Sequence, residues 1–233
     1  MFQNILNFLA TKEGSGSEVY YTPTLAGNIL LFVLVVILFI TMAALSNSKS
    51  KVKVQQLAFS AMAVTLAVVT SFITFAKLPF GGSITLFSML FIVLIGYLYG
   101  TKAGVLTGIA YGFINMMIGP TILHPVQMLL DYPIAFGCLG LSGAFSRTKY
   151  GLVKGYILGV FGRYICHVIS GFVFFSMYTP KGMNSIVYSL GYNATYIVPE
   201  AIATLIILFI PPVRQAFAQV KGMAAQTGST LFK

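Results

Sequence analysis

The sequence has few charged residues and no tryptophan. Only 8% of its 233 residues are charged, whereas 58% are hydrophobic. Soluble domains carry about 25% charged residues. A chain of this length could bury one globular core, but so few charges could not solvate the surface of that core. The hydrophobic residues also occur in long runs, so the composition excludes an ordinary soluble domain and predicts an integral membrane protein.

Acidic residues are scarcer still, with four Asp and Glu against fourteen Lys and Arg, and the net charge is +10. Such an excess can indicate nucleic-acid binding. Here, however, the basic residues form short clusters between apolar runs, which is typical of cytoplasmic loops in membrane proteins. We therefore expect a lipid bilayer, and no nucleic acid, as the surroundings of this chain.

Residues that could form disulfides, bind metals or carry out catalysis are few as well. The two cysteines, Cys138 and Cys166, lie within apolar runs and are interpreted as small packing residues. The two histidines, His124 and His167, belong to no HExxH motif, and a Walker A motif is absent. We expect no metal, no cofactor bound by this chain and no enzymatic activity.

The N-terminal part predicts one membrane helix that stands apart from the rest. Residues 25–46 form an apolar run long enough to span the hydrocarbon core of about 30 Å. The preceding residues, 1–24, are acidic rather than basic, which argues against a cleaved signal peptide. A basic linker follows at residues 47–53.

A membrane domain of six helices is predicted over residues 54–212, followed by a tail over 213–233. Its third helix carries Gly104, Gly108 and Gly112, a spacing that lets helices approach closely in lipid. The fold class is therefore an all-α integral membrane bundle of six helices preceded by one extra helix. The six predicted helices cover residues 54–76, 84–99, 103–118, 124–145, 152–178 and 185–210.

The distribution of Lys and Arg predicts the orientation. With the 47–53 linker inside, ten basic residues lie in inner segments and three in outer ones, and Arg163 lies within a helix. The positive-inside rule then places the N-terminus outside and the C-terminus in the cytoplasm, with seven spans. The loops LPFGGS, GPTILHP and MYTPKGMN face outward.

Asp131 is one of only two acids after residue 18, and it lies within a predicted membrane helix. A carboxylate there costs about 2.5–3.5 kcal/mol on insertion scales, so it indicates a functional site. Pro133 follows closely and loosens the helix beside the acid, and Gln127 shares its face. The structural alternatives are a salt bridge to Arg163 or a protonated packing acid.

More polar and aromatic residues lie near the predicted outer ends of the last two core helices. Arg163 and His167 are four residues apart and share a helix face, which Phe175 continues outward. Tyr188 and Asn193 lie in the last helix. A carboxylate, amides, a histidine and aromatic rings together suit a small, flat, cationic heterocycle, because aromatic faces also attract cations.

Three motifs carry a resemblance to a known family. The segments 124–143 (HPVQMLLDYPIAFGCLGLSG), 163–182 (RYICHVISGFVFFSMYTPKG) and 187–200 (VYSLGYNATYIVPE) resemble the thiamine-specific substrate-binding (S) components of energy-coupling factor (ECF) transporters. The segment 78–85 (LPFGGSIT) is similar to the first outer loop of that family. The resemblance covers residues 54–212.

The resemblance implies a bacterial plasma-membrane protein that binds thiamine near the outer surface. It also implies docking on a transmembrane coupling protein that carries two cytoplasmic ATPases, which use ATP. Small residues on the first core helix match the surface for the coupling protein: Ala61 and Thr65, with Ala63 and Ala67 as a neighbouring version. The implied thiamine-binding residues, to which the helix face adds Gln127, are Asp131, Tyr132, His167, Phe175, Tyr188 and Asn193.

Two departures from the family pattern stand out. Some members have a tryptophan in the first outer loop, where this chain has Gly82 and Ser83, and the extra N-terminal helix is outside the usual six-helix pattern.

The main alternative function is a self-sufficient secondary transporter for a small cationic heterocycle. Against it stand the small size, the absence of a visible internal repeat and the presence of only two acids that could serve ion coupling.

Overall fold

The computed structural model describes residues 8, 10–13, 20–30, 33, 54–79 and 82–226. Residues 25–30 are helical, but most of the extra membrane helix predicted at 25–46 and the whole 47–53 linker lie outside the described residues. Ahead of this segment, two short strands, β1 (Ala10–Glu13) and β2 (Tyr20–Pro23), pair in antiparallel fashion.

Among the described residues from 54 onward there are seven helices and one short 3₁₀ turn (Ser176–Tyr178), which confirms the predicted all-α class. The fourth, α4, is a composite in which α-helical turns flank a π-helical segment, and it ends in a 3₁₀ segment. The helices are α1 (Val54–Ser71), α2 (Ser88–Tyr99), α3 (Thr101–Ile118), α4 (Pro125–Phe145), α5 (Gly151–Phe174), α6 (Ser185–Phe209) and α7 (Pro211–Gln226).

Among the described residues, four helices are long and apolar enough to cross a membrane, namely α1, α4, α5 and α6. The apolar helix α2 is shorter. Large apolar side chains such as Phe161 on α5 (59% exposed) and Ile206 on α6 (61% exposed) point away from the bundle. Such a large apolar surface is typical of a helix bundle that faces lipid. The chain is thus a multi-pass membrane protein, whereas the count of seven spans stays a prediction.

The predicted ends of three helices were wrong. Between α1 and α2 the chain forms an antiparallel hairpin of β3 (Thr74–Lys77) and β4 (Ser83–Thr85), where helix had been predicted up to residue 76 and from residue 84. The turn has glycines and a proline, which favour a reversal, and the Leu78 amide donates to the Gly82 carbonyl at 2.7 Å. Helix α5 ends four residues earlier than expected, and a further helix, α7, begins two residues before the predicted 213–233 tail and continues into it.

The glycine stripe of α3 lets this helix touch the backbone of α4. A Cβ atom at Gly108 would lie 2.2 Å from the Phe136 carbonyl oxygen, and one at Gly112 would lie 2.7 Å from the Pro133 Cα. Only glycine allows this approach. The stripe therefore sets the position of the α4 segment that carries Asp131.

The second intramembrane acid, Glu200, fastens the hairpin to α6. Its carboxylate accepts hydrogen bonds from the Thr85 amide (3.2 Å) and hydroxyl (2.8 Å), the Ser88 hydroxyl (3.3 Å) and the Met89 amide (3.4 Å). These donors come from β4 and the first turn of α2. A buried carboxylate needs such partners, so Glu200 has a structural role that links the hairpin to the bundle.

Candidate ligand-binding site

A cavity of about 350 Å³ lies at the end of the bundle where the hairpin, the α3–α4 loop and the segment after α5 meet. The loops LPFGGS, GPTILHP and MYTPKGMN each contribute lining residues. Its size suits a small organic ligand. All seven residues predicted from the sequence line it: Gln127, Asp131, Tyr132, His167, Phe175, Tyr188 and Asn193.

Asp131 is the centre of a hydrogen-bond network on the cavity wall. Its Oδ2 accepts from Gln127 Nε2 and from the Ser170 hydroxyl, both at 2.7 Å, and its Oδ1 lies 3.1 Å from His167 Nδ1. The Asp131 side chain is 12% exposed. Three donors compensate for the lost hydration of the charged form, so the arrangement suits a fixed negative charge beside the cavity.

The backbone around Asp131 departs from α-helix as Pro133 requires. Leu130–Ile134 forms a π-helical segment, because proline has no amide hydrogen for the regular ladder. Such segments are frequent at functional sites. The wider turn keeps Asp131 and Tyr132 on the cavity wall while the helix continues at Ala135.

Gln127 and Tyr132 hold the α3–α4 loop against the cavity. Gln127 Nε2 donates to the Thr121 carbonyl (3.0 Å), and its Oε1 accepts from the Leu123 amide (2.9 Å). The Tyr132 hydroxyl accepts from the Thr121 amide at 2.9 Å. Gln127 is 1% exposed, so its geometry supports positioning of Asp131 and of the loop rather than broad contact with a ligand.

His167 lies between Arg163 and Asp131. Arg163 Nε, which can only donate, lies 3.3 Å from His167 Nε2. Nε2 must therefore accept, and the ring proton belongs on Nδ1, facing Asp131. The guanidinium of Arg163 also lies over the Phe136 ring, with Cζ at 4.3 Å from its centre. Asp131 and Arg163 therefore do not form the direct salt bridge considered as an alternative. Each of them contacts the imidazole of His167 instead.

Asn193 joins α5 to α6 behind the cavity. Its Nδ2 donates to the carbonyl oxygens of His167 (3.2 Å) and Ser189 (2.9 Å), and its Oδ1 accepts from the Tyr196 hydroxyl at 2.7 Å. Its two amide hydrogens already have partners, whereas Oδ1 has one lone pair left. Asn193 therefore offers a ligand one acceptor and otherwise fixes its neighbours.

Aromatic rings form much of the remaining wall. Phe175 and Tyr178 lie with ring centres 6.2 Å apart, and Tyr188, Tyr192 and Tyr196 follow one another at 6.0 and 6.1 Å. Phe175 is partly buried and lines the cavity, so it does not belong to the lipid-facing surface. Such rings offer both stacking and cation–π contact.

The hairpin approaches these tyrosines too closely for a side chain at position 82. A Cβ atom at Gly82 would lie 2.8 Å from the Tyr196 ring and 3.2 Å from the Tyr192 hydroxyl. The Tyr192 hydroxyl also donates to the Pro79 carbonyl. The tyrosine pair of α6 thus occupies the space beside the loop that lacks tryptophan in this chain.

The predicted partner surface divides into two faces of α1. Ala61 and Thr65 are exposed, and the Thr65 hydroxyl donates to the Ala61 carbonyl at 3.0 Å. Ala63 and Ala67 are 5% and 0% exposed and pack within the bundle. The neighbouring version of the small-residue surface is therefore buried in this structure, and only Ala61 and Thr65 are accessible to a partner.

Some site residues were missed in the sequence. Ser170 donates to Asp131, and its position three residues after His167 on one helix face could have indicated it. Thr121 receives contacts from two predicted site residues through its backbone, which no side-chain pattern could show. Lys77 and Asn115 also line the cavity.

Fold and site together define a polytopic helical membrane protein with a cavity at one end of the bundle, lined by a hydrogen-bonded carboxylate and by aromatic rings. This is the class of proteins that capture a small cationic ligand at a membrane. The family described as thiamine transporter protein (Thia_YuaJ) matches residues 57–219, and the chain belongs to this family. The predicted identification as a thiamine-specific S component, and the predicted role in thiamine uptake, are confirmed at the level of the family.

Individual proteins that the chain resembles are also thiamine transporters. The chain is 41% identical over 179 residues to the thiamine transporter ThiT of Bacillus subtilis strain 168, covering 70% of this chain and 92% of that protein. It is 33% identical over 118 residues to ThiT of Lacticaseibacillus paracasei, covering 43% and 59%. A solved structure of ThiT from Listeria monocytogenes shares the fold, with a TM-score of 0.58 and 24% identity over 69% of this chain and 96% of that one.

Proposed function

We propose that the 350 Å³ cavity is the thiamine site of this chain and that Asp131 is its main determinant. The observation that carries the proposal is the Asp131 carboxylate, which lines the cavity and receives three hydrogen bonds from Gln127, His167 and Ser170. Thiamine carries a permanent positive charge on its thiazolium ring. A carboxylate held in place attracts that charge strongly in surroundings from which water is largely excluded.

The aromatic wall supplies the second part of recognition. Phe175, directly after α5, and Tyr188 of α6 line the cavity. Flat heterocycles such as the two rings of thiamine stack on such faces. A cationic ring gains further attraction from the aromatic quadrupole. Stacking therefore orients the ligand, while the carboxylate of Asp131 favours a ligand that carries a positive charge.

We assign the aminopyrimidine ring of thiamine to polar groups of α5 and α6. In the described arrangement His167 uses both ring nitrogens within the protein, on Asp131 and Arg163. A ligand that approaches His167 must replace one of these contacts, and the longer Arg163 contact of 3.3 Å is the weaker one. Asn193 Oδ1 contributes its free lone pair to an amino group of the ligand.

The ligand enters from the outer side of the membrane in this proposal. Most of the described basic residues lie at the end opposite the cavity, namely Lys102, Arg147, Lys149, Lys154, Arg214 and Lys221. The positive-inside rule assigns that end to the cytoplasm. The chain then acts as the S component that delivers thiamine to an ECF coupling protein with two ATPases. Ala61 and Thr65 form an exposed patch of small residues on α1 on which a partner helix can pack closely.

A thermal-shift screen of the purified chain tests the site. Thiamine should raise the unfolding temperature in proportion to its occupancy, whereas the uncharged aminopyrimidine fragment should raise it much less at equal concentration. The fragment retains the stacking ring but not the charge that Asp131 attracts. Equal shifts for both ligands would contradict the central role of Asp131.

A further inference from the structure

A second cavity, of about 240 Å³, lies at the opposite end of the bundle from the thiamine cavity. It is formed where α5 begins, α6 ends and α7 passes beneath them. Gly151, the first residue of α5, lines it, whereas the other cavity lies beside Phe175, just after this helix. The 24 residues of α5 separate the two ends by about 36 Å.

The rim of this cavity carries positive charge. Lys149 and Arg214 line it, and their cationic groups lie 5.4 Å from the ring centre of Tyr150, which they share. Among the described residues that line the cavity, none is acidic. The two acids of residues 54–226, Asp131 and Glu200, belong to other networks. A negatively charged group is the ligand that this charge favours.

The remaining walls are apolar. Leu152, Leu208 and Phe217 line the cavity, together with Phe209, which is 56% exposed. Phe209 lies on the same side of α6 as the exposed Ile202 and Ile206, so the cavity adjoins the surface that faces lipid. A free phosphate ion would leave these apolar walls uncovered, whereas a phospholipid presents an anionic headgroup and acyl chains together.

Helix α7 holds the cavity at the level of the membrane surface. It begins at Pro211 directly after α6, and the Gln55 amide donates to its Met223 carbonyl at 3.2 Å. Lys221 on α7 donates to the Ser146 carbonyl and lies 4.0 Å from the Tyr97 ring centre. An amphipathic helix of this kind lies among lipid headgroups. The cavity is therefore placed where phospholipid phosphates are found.

We propose that this cavity binds one anionic phospholipid, with Lys149 and Arg214 holding the phosphate and the apolar walls receiving the first part of the acyl chains. The site lies at the end of the bundle that the charge distribution places in the cytoplasm. Anionic lipids attract basic residues strongly in that leaflet. A bound lipid would tie α5, α6 and α7 together at this end.

The test is a lipid titration of the full-length chain in a neutral detergent, followed by native mass spectrometry and thermal unfolding. Phosphatidylglycerol should give one retained lipid and a higher unfolding temperature, while phosphatidylcholine with the same acyl chains should give neither. The double variant Lys149→Gln and Arg214→Gln should bind phosphatidylglycerol about tenfold or more weakly. Its thiamine binding should be unchanged, which shows that it is folded.

Lys181→Gln, in the loop before α6 at the other end of the bundle, controls for the loss of a positive charge away from the cavity and should retain the lipid. Equal retention of phosphatidylglycerol by the double variant and the parent would overturn the proposal. Retention of phosphatidylcholine to the same extent would overturn it as well. A temperature shift with inorganic phosphate as large as that with lipid would assign the cavity to a free anion instead.

Discussion

Asp131 and Glu200 show how two acids in one membrane domain acquire different roles. Glu200 is 3% exposed and accepts four hydrogen bonds from Thr85, Ser88 and Met89, so its charge stabilises a hairpin. Asp131 lines the cavity with part of its surface open. A buried carboxylate without access to a ligand can only stabilise the fold, whereas one beside a cavity can also attract a cation.

Removing the charge of Asp131 tests its role directly. Asp131→Asn keeps the shape of the side chain, and we expect thiamine binding to weaken by about 2–5 kcal/mol, because a buried charged contact is lost. Asp131→Glu keeps the carboxylate and should retain more of the affinity than Asn. Calorimetric titration measures both. Unchanged affinity in a folded Asp131→Asn variant would assign Asp131 to structure.

Phe175 allows the stacking role to be tested, because leucine can replace its aromatic ring with an apolar side chain of similar bulk. It follows the last residue of α5 and lines the cavity beside Tyr178. Phe175→Leu keeps apolar bulk but loses the π system, and we expect thiamine affinity to fall by about 1–2 kcal/mol. Phe175→Trp should preserve or increase it. Calorimetry is again the measurement, and equal binding by Leu and Phe would move the stacking role to Tyr132, Tyr178 or Tyr188.

Among the helices, the contact between α3 and α4 controls the site most directly. Gly112 touches the backbone of Tyr132 and Pro133, which immediately follow Asp131. The π-helical turn of α4 thus rests on a surface that has no side chain. Any atom added there must move the backbone that carries the carboxylate.

We therefore expect Gly112→Ala to lower both stability and thiamine affinity. The new Cβ would lie 2.7 Å from backbone atoms of α4, and overpacking of this kind costs about 1–3 kcal/mol. Thermal unfolding and calorimetry measure the two effects.

Gly191→Ala on α6 is the matched control for Gly112→Ala, since nothing lies within 4 Å of its added Cβ. Alanine at such a helical position should be neutral or slightly stabilising. If Gly112→Ala were as stable and as active as Gly191→Ala, the close α3–α4 approach would not control the site.

For the whole molecule, the two ends of the bundle differ in chemistry. One end holds a cavity with a carboxylate and aromatic rings, and the other carries a cavity rimmed by Lys149 and Arg214. This polarity favours one orientation in the membrane.

Site-directed labelling checks the orientation. In a background with Cys138 and Cys166 replaced by alanine, a membrane-impermeant thiol reagent added from outside should modify Lys181→Cys, in the loop before α6. It should not modify Thr148→Cys, in the loop before α5, until the membrane is permeabilised. Both positions are exposed. The reverse pattern of accessibility would invert the proposed topology.

Transport by the chain alone distinguishes an S component from a secondary transporter. Proteoliposomes that contain only this chain should bind thiamine but should not accumulate it above the external concentration, because the chain has no Walker A motif for hydrolysing ATP. Uptake of radiolabelled thiamine under imposed proton or sodium gradients measures this. Concentration of thiamine driven by either gradient would favour the secondary-transporter alternative.

The sequence by itself determined the membrane class, the six core helices within a few residues and the candidate site. These features follow from local properties: long apolar runs, basic clusters between them, and polar residues such as Asp131 and His167 where lipid would otherwise exclude them. The identity of the ligand, thiamine, came from the motifs that resemble the family. None of this required knowledge of how the helices are rotated against one another.

Only the tertiary structure decided which of these residues meet. Glu200, more than one hundred positions away in sequence, holds the β3–β4 hairpin against α6, and no local pattern contains that contact. Helix rotation buries Ala63 and Ala67 while leaving Ala61 and Thr65 exposed. Packing also places His167 between Asp131 and Arg163. Such contacts depend on long-range approach of backbones, which periodicity and composition do not encode.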